Sequence, residues 1–510
     1  MNEEPLLVGV DIGATGIKAG FFRTDGSIAA KAQRPNGPHP QPGGESGWWI
    51  WDADEMWNRV CSCLKECMGR IERGRPAAVA VTGFGTDGLP IDRDGQALYP
   101  IISWHCGRTV PQRDRLLEQV PAEELFDITG YHPYPINAIH RWMWLREHAP
   151  QALDGAYRWL QVQDCIAYRL SRECATDATI ASTTMALDIR NRAWSERLLT
   201  LSGMPPDGLC PIRESGTVIG TVTRESAEST GLPVGIPVVT GGHDCELGAL
   251  GAGVSDPHTF IDITGTWEII IAVVNECRPT SGMYRAGLDY ECHALPGQWI
   301  LQGLMIAGGV IEWIGRQLYR DITDAEALYQ TMIADAGKVA PGSEGVSLFP
   351  CWVGAMGPYF AYGSLGAVTG LCTTTDRSHI ARAAWEALCF QLRRQLDAIE
   401  KETGVSARKF RVIGGGQKNA FWNRMKADVT GRTAEVARFE EPTILGAAIA
   451  AGIGAGIYHS ITEALDAIPF PVEEIEPDPS LRNVYDDLYQ SRTEQLPKGL
   501  GIAAGRETES

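Results

Sequence analysis

The sequence predicts an α/β protein with two halves of related fold and a shared cleft between them. Residues 6–20 and 259–274 have the same design, in which an apolar strand precedes an Asp, a Gly/Thr turn and a second apolar strand. The two copies lie about 250 residues apart, a period far longer than that of a solenoid repeat. A chain of 510 residues is also too long for one hydrophobic core. The halves are expected to meet near residues 244–257.

Composition and charge narrow the class of protein. With 44% hydrophobic and 21% charged residues, the chain has an ordinary globular composition. Its net charge of -18 argues against a nucleic-acid partner, because such proteins concentrate Lys and Arg. Residues 1–5 carry acid where a signal peptide carries base. The longest small-apolar stretch, residues 444–456, is too short to span a bilayer and is expected to form a buried Gly/Ala-rich helix packed closely on a neighbour. The 13 scattered cysteines fit a reducing compartment, so a cytoplasmic protein without membrane attachment is expected.

The first Gly-rich stretch, LLVGVDIGATGIKAG at residues 6–20, predicts two strands joined by a tight hairpin. Such a turn presents backbone amides and a hydroxyl to an anion. Asp11 beside the turn is placed to hold a cation that accompanies the anion. A plain turn without ligand is the alternative interpretation, because a single DxGxTG hairpin is a weak signal.

Residues 83–88, GFGTDG, match the dinucleotide fingerprint GxGxxG after a strand-like run. The fingerprint requires a helix to begin at once, whereas Leu89 and Pro90 continue as extended chain. A nicotinamide oxidoreductase therefore stays only a weak alternative. The loop is better suited to a small polar ligand, with Asp87 bonding its hydroxyls.

The central stretch TGGHDCELGALGAG, residues 240–253, places His243 and Asp244 between a strand and a helix. Asp at such a junction commonly caps the helix by accepting a bond from first-turn amides. A carboxylate at the mouth of an α/β crevice can instead act as a general base toward a substrate hydroxyl. Its position between the two hairpins favours the base, with capping as a second role.

Two later segments add Gly-rich turns that precede helices. Gly308 and Gly309 come before an aromatic helix, and residues 410–431 predict a strand, three glycines and an amphipathic helix. The glycines at 414–416 allow close approach of a flat or charged ligand, and Asn419 is expected to cap the following helix. The tail after Leu496 is Gly-rich and polar, and is expected to be loosely ordered.

Taken together, the motifs resemble the FGGY carbohydrate kinases of the actin/hexokinase-like ATPase superfamily. The resemblance rests on the paired hairpins, the central GHD, the late GGGxKNxxW and the stretch at residues 366–386, in the family's order. One departure is His140-Arg141, where the first family signature normally has a Lys. The resemblance implies two actin/hexokinase-like (ribonuclease H-like) domains, residues 1–255 and 256–495, with a flexible tail at 496–510.

The resemblance also implies a role for individual residues. Asp244 would be the catalytic base and Asp11 would position magnesium. The sugar would be bound by Phe84, Gly85, Asp87, Arg108, Asn137 and His243. The nucleotide would be bound by Gly13, Thr15, Lys18, Gly265, Thr266, Gly309, Gly415, Lys418 and Asn419.

The expected activity is transfer of the γ-phosphoryl group of ATP, with Mg2+, to a primary hydroxyl of a ketose. L-Fuculose is the first expected substrate, ahead of D-ribulose, L-rhamnulose, L-xylulose and erythritol-type polyols, because a few side chains redirect sugar specificity. A non-catalytic actin-like module that binds ATP or a sugar as a sensor is the alternative from another class. A homodimer is expected only because similar proteins often form one.

Overall fold

The computed structural model describes residues 4–352 and 366–495. The tail expected at 496–510 lies outside the described residues. The strands of the first half are β1 (Pro5–Ile12), β2 (Gly16–Phe22), β3 (Ile28–Pro35), β4 (His39–Pro40), β5 (Trp49–Trp51), β6 (Arg75–Gly83), β7 (Gly88–Ile91), β8 (Ile101–Ile102), β9 (Arg158–Gln161), β10 (Thr176–Asp177), β11 (Leu187–Asp188), β12 (Ala193–Trp194), β13 (Ile212–Arg213), β14 (Val218–Thr221) and β15 (Pro237–His243). Its helices are α1 (Ala53–Arg70), α2 (Val110–Gln119), α3 (Ala122–Thr129), α4 (Ala138–His148), α5 (Pro150–Asp154), α6 (Val162–Ser171), α7 (Ala178–Ser182), α8 (Glu196–Ser202), α9 (Arg224–Thr230) and α10 (Asp244–Gly251).

The second half begins after α10. Its strands are β16 (Thr259–Thr264), β17 (Trp267–Val274), β18 (Leu288–Cys292), β19 (Trp299–Ile306), β20 (Ser347–Phe349), β21 (Ala367–Thr369), β22 (Lys409–Ile413), β23 (Thr433–Ala437) and β24 (Val472–Ile475). Its helices are α11 (Ser281–Arg285), α12 (Gly308–Leu318), α13 (Ala325–Lys338), α14 (Arg377–Thr403), α15 (Ala420–Thr430), α16 (Pro442–Gly454), α17 (Ile461–Ala467) and α18 (Arg482–Gln490).

Each half is organised around one large mixed sheet. The first has the strand order β14-β15-β6-β1-β2-β3, and the second has the order β18-β19-β17-β16-β22-β23-β24. In both, an antiparallel hairpin, β1–β2 or β16–β17, is followed by two parallel strands, β6 and β15 or β22 and β23. The prediction of two related α/β halves with matching hairpins is therefore confirmed.

The central strands of the first sheet are apolar because both faces of the sheet are covered. β1 is buried at every position after Pro5, and β6 is buried almost throughout. Helices α1 and α6 pack on strands of this sheet, and α16 of the second half packs on β1, β6 and β15. The predicted domain boundary at residue 255 falls between α10 and β16. It stays a prediction, because α16 belongs to the second half in sequence but packs on the sheet of the first half.

Helices α10 and α16 lie against each other at backbone-to-backbone distance. A Cβ added at Gly251 would lie 1.8 Å from the Pro442 carbonyl oxygen, and one at Gly446 would lie 1.9 Å from that of Leu247. Only glycine permits this approach. The expected buried Gly/Ala-rich helix is confirmed as α16, and its close packing fixes the position of α10, which begins at Asp244.

Within residues 4–352 and 366–495, no helix combines the length and the apolar character needed to cross a bilayer.

Candidate active site

Asp244 lies where β15 of the first sheet passes into α10. In the parallel register of β15 and β6, His243 is opposite Gly83, so the loop at residues 83–88 begins beside it. The cap position of α10 is occupied by His243, and Asp244 is the first residue inside the helix. The predicted capping role of Asp244 is wrong, because His243 occupies the cap position and Asp244 stands one position later, inside the helix. Its half-buried carboxylate instead lies 3.2 Å from His243 Nε2.

His243 is buried and fixed on three sides. Its backbone N–H donates to Thr179 Oγ1 at 2.7 Å, and its Nδ1 lies 2.7 Å from Glu291 Oε2 of the second half. Burial opposes a charge on the imidazole, but Glu291 and Asp244 outweigh burial and raise the pKa of His243 to about 9. At neutral pH His243 is therefore a cation between two carboxylates.

Asp87 is fully buried and saturated with donors. Its Oδ2 accepts from Trp51 Nε1 at 2.6 Å and from the Trp104 backbone N–H at 2.9 Å. Its Oδ1 accepts from Thr86 Oγ1 and pairs with an Arg141 nitrogen at 2.7 Å. Burial raises the pKa of Asp87, and Arg141 opposes that shift. The loop at residues 83–88 runs into β7, so the helix that a dinucleotide site requires does not follow it.

The remaining expected sugar contacts surround Asp87 and His243. Phe84 packs on Trp51 with ring centroids 4.9 Å apart, and a Cβ at Gly85 would lie 3.0 Å from His243 Nε2. Arg108 lies over the Trp48 ring at 4.2 Å. In the described part of the chain, neither Arg108 Nη2 nor Asn137 Oδ1 has a hydrogen-bond partner, although both atoms are buried.

The first hairpin closes through Gly13 N–H, which donates to the Gly16 carbonyl at 3.1 Å, and leaves Thr15 exposed. Lys18 is paired with Glu441 of the second half at 2.8 Å. Asp11 is buried, and its Oδ1 has no hydrogen-bond partner among the described residues. Burial and the neighbouring Asp244 carboxylate raise the pKa of Asp11 to about 8.

The second hairpin borders a cavity of about 530 Å3. Gly265, Thr266 and Gly415 line it, together with Gly308, Tyr329 and apolar side chains from α12 and α13. The Gly309 N–H donates to the Thr266 carbonyl at 3.1 Å and so adjoins the cavity wall. Asn419 caps α15, as expected, and donates to the Tyr329 hydroxyl at 2.9 Å, whereas Lys418 is exposed and does not line the cavity.

This arrangement, two related halves with a carboxylate at the start of α10 between two hairpins, matches known proteins over most of the chain. The model of the FGGY family of carbohydrate kinases, N-terminal domain, matches residues 6–251, and that of the C-terminal domain matches residues 263–455. The chain belongs to the FGGY family of carbohydrate kinases. It is an ATP-dependent sugar kinase with the actin/hexokinase-like fold, so the predictions of fold class and enzyme class are confirmed.

Individual FGGY relatives cover nearly the whole chain. L-Fuculokinase of Escherichia coli K12 is 32% identical over 91% of this chain and 95% of its own length. Autoinducer-2 kinase of Salmonella typhimurium LT2 is 28% identical over 97% of this chain and 96% of its own length. The crystal structure of xylulose kinase from Rhodospirillum rubrum superimposes with a TM-score of 0.87 at 26% identity, covering 97% and 99% of the two chains.

Sequence reasoning did not identify three residues of this FGGY site. Glu291 reaches His243 from β18, Arg141 neutralises Asp87 from α4, and Lys426 binds Asp262 of the second hairpin from α15. Arg141, one of the two residues where the first family signature departs, contacts the expected sugar-binding carboxylate of Asp87. Each partner lies at least 48 residues away in the sequence, so no local motif joins them.

Proposed function

We propose that the chain transfers the γ-phosphoryl group of ATP to a primary hydroxyl of L-fuculose, with Asp244 as general base. The observation that carries the proposal is the position of Asp244, half-buried at the start of α10 and close enough to Asp11 of the first hairpin to raise its pKa. Phosphoryl transfer needs in-line positioning, stabilisation of phosphate charge and one group that accepts the proton of the nucleophile. Asp244 is that acceptor.

The sugar would lie against the loop at residues 83–88. Gly85 and His243 would border the sugar, because the absence of a side chain at Gly85 leaves space 3.0 Å from His243 Nε2. Asp87, whose oxygens already accept from Trp51, Trp104 and Thr86, would hold this loop in place behind the sugar. Arg108 Nη2 and Asn137 Oδ1 are buried polar atoms without partners in the described residues, and burying such atoms costs free energy unless a ligand satisfies them. A polyhydroxylated substrate supplies those partners.

The nucleotide would occupy the cavity beside the second hairpin. A volume of about 530 Å3 lies within the usual range of small-ligand pockets. Gly265 and Thr266 at one end, and Gly13 and Thr15 across the cleft, would present backbone amides and hydroxyls to the phosphates. ATP would then lie with its γ-phosphate between the hairpins, next to Asp244.

Asp11 fits a magnesium site. Its carboxylate is buried, one of its oxygens lacks a hydrogen-bond partner in the described chain, and burial together with the Asp244 carboxylate raises its pKa. Mg2+ prefers carboxylate oxygens and substrate phosphates as ligands. When bound, the ion would neutralise charge on the transferred phosphoryl group.

Support for L-fuculose comes from the relatives named L-fuculokinase, which are 28–32% identical over 90–91% of this chain. The relatives named autoinducer-2 kinase, at 27–28% identity over 97% of the chain, make autoinducer-2 the second candidate acceptor. An ADP-release assay over L-fuculose, L-rhamnulose, D-ribulose, L-xylulose, erythritol and autoinducer-2 decides between them. We expect the highest kcat/KM with L-fuculose. A higher kcat/KM with any other acceptor would overturn the assignment of L-fuculose as the substrate.

A further inference from the structure

Strand β18 of the second half carries two buried carboxylates on one face, and each bonds a histidine of the first half. Asp289 Oδ1 lies 2.7 Å from His132 Nδ1, and Glu291 Oε2 lies 2.7 Å from His243 Nδ1. Because alternate residues of a strand share a face, positions 289 and 291 point to the same neighbour. The two pairs have the same chemistry, but only the second reaches the candidate base.

A continuous chain of polar contacts leads from the second half to Asp244. Gln302 Nε2 donates to Glu291 Oε1 at 2.6 Å, which fixes the carboxylate. Glu291 then meets His243 Nδ1, and His243 Nε2 lies 3.2 Å from Asp244 Oδ1. Glu291 is fully buried, so its charge is not shared with solvent. The orientation of the imidazole is thereby set by a residue outside the half that carries the base.

We propose that Glu291 is a positioning residue for the general base, acting through His243, an inference that rests on the proposed function. With Glu291 on Nδ1, a protonated His243 donates from Nε2 to Asp244 Oδ1. Asp244 Oδ2 is then the oxygen left to accept the proton of the sugar hydroxyl. Because Glu291 belongs to the second half, the base is oriented only while β18 is docked against the first half.

Charged and titratable groups from several elements face the polar contacts that run from Gln302 to Asp244. Asp177 before α7 and Asp244 on α10 act on His243 together with Glu291. Tyr131, Cys245 and Glu246 surround Glu291, and Arg192 faces Glu246. Removal of the Glu291 charge leaves Asp177 and Asp244 to stabilise the imidazolium, while burial still opposes it. The cation then persists over a narrower range of pH.

The test compares Glu291→Gln with Asp289→Asn, which removes the matching charge from the other pair. Glu291→Gln is expected to lower kcat at least about tenfold, because an orienting carboxylate behind a histidine is lost. KM for ATP should change less than about twofold. The remaining kcat should fall further as pH rises from about 6 to about 8, whereas wild type should hold its kcat over that range. Asp289→Asn should keep the wild-type pH profile.

A second measurement separates this inference from the proposed function. NMR titration of the His243 imidazole, assigned with His243→Gln, needs no substrate and is expected to give a midpoint near 9 in wild type and a lower one in Glu291→Gln. If wild type phosphorylates no acceptor, the proposed function fails. The titration then still decides, without any measurement of turnover, whether Glu291 controls the protonation of His243. Equal midpoints in the two proteins would overturn the inference.

Two kinetic results would also overturn the inference about Glu291. One is a Glu291→Gln variant with wild-type kcat and pH profile, and the other is an Asp289→Asn variant that reproduces every effect of Glu291→Gln. The latter would mean that both carboxylates serve only to hold β18 against the first half. If Glu291→Gln fails to fold, Gln302→Leu removes one bond from Glu291 and is expected to change the pH profile in the same direction to a smaller degree.

Discussion

The two hairpins share a sequence pattern and a strand topology, but their aspartates lie in opposite electrostatic environments. Asp11 of the first hairpin is buried with an oxygen that finds no hydrogen-bond partner in the described residues. Asp262 of the second hairpin is also buried but lies 2.6 Å from the ammonium of Lys426. The same motif therefore leaves one carboxylate available to a cation and neutralises the other.

Lys426 is the centre of a buried ionic cluster. Its ammonium contacts Asp262 Oδ2, Glu268 Oε1 at 2.5 Å and Thr264 Oγ1 at 2.7 Å, and none of the three charged side chains is exposed. Burial opposes its charge, but the two carboxylates outweigh burial and raise the pKa of Lys426. The cluster joins both strands of the second hairpin to α15. We interpret the second hairpin as stabilised by its own buried ion pairs. Among the described residues the first hairpin lacks such pairs at Asp11, and it would gain the matching positive charge when its ligand binds.

The largest expected effect is on stability, from Lys426→Met. The substitution leaves two buried carboxylates without their cation, which costs about 3–5 kcal/mol. The matched variant at the first hairpin, Lys18→Met, breaks a partly exposed pair with Glu441 and should cost less than about 1 kcal/mol. Urea unfolding of both variants measures the difference. Equal destabilisation would remove the distinction between the hairpins.

The second prediction concerns turnover and compares Asp11→Asn with Asp262→Asn. Asp11→Asn removes the carboxylate proposed to hold the cation and should lower kcat by about 10²–10³-fold, the scale of losing one charge-stabilising group. Asp262→Asn leaves Lys426 paired with Glu268 and should lower kcat less than about tenfold. The comparison is made by ADP release at saturating Mg2+. A larger loss of kcat for Asp262→Asn than for Asp11→Asn would contradict the assignment of the cation site to Asp11.

A third prediction tests how tightly the second hairpin is packed at the cavity proposed to hold the nucleotide. A Cβ at Gly308 would lie 2.5 Å from the Gly265 carbonyl oxygen, whereas the nearest atom to a Cβ at Gly415 is 3.8 Å away. Overpacking costs about 1–3 kcal/mol, so Gly308→Ala should raise KM for ATP at least about fivefold. Gly415→Ala should leave KM for ATP within about twofold. Similar effects of both substitutions would argue against a rigid hairpin wall.

A fourth prediction is a pH slope in stability that comes from the first hairpin. The folded-state pKa of Asp11 is about 8, above its ordinary value of 3.8. Between these values the folded protein holds a proton that the unfolded chain has released. The Asp11 contribution to the free energy of unfolding therefore falls as pH rises from about 4 to about 8, by up to about 1.4 kcal/mol per pH unit.

Urea midpoints of metal-free wild type and Asp11→Asn, taken from pH 5 to pH 8, measure this slope. Wild type should lose stability relative to the variant as pH rises, and Mg2+ should reduce that loss. A difference that stays constant with pH would show that the Asp11 carboxyl titrates near its ordinary value.

Much of the fold was predictable because its signals are local. The hairpins, the strand before His243 and the buried helix α16 follow from apolar runs, turn residues and composition, and the structure has them where they were expected. The cap assignment of Asp244 failed by one position, an error that local sequence cannot resolve. Glu291, Arg141 and Lys426 were missed because their partners are brought close only by the packing of separate elements.

The most direct measurement is phosphoryl transfer by Asp244→Asn at saturating MgATP and L-fuculose. Loss of the general base should lower kcat at least about 100-fold, because Asn cannot accept the proton of the sugar hydroxyl. Binding of ATP should be kept, since the cavity proposed to hold the nucleotide lies on the second hairpin and α12. A variant that binds ATP but transfers phosphate at less than about one-hundredth of the wild-type rate is the predicted result. A rate close to that of wild type would contradict the account.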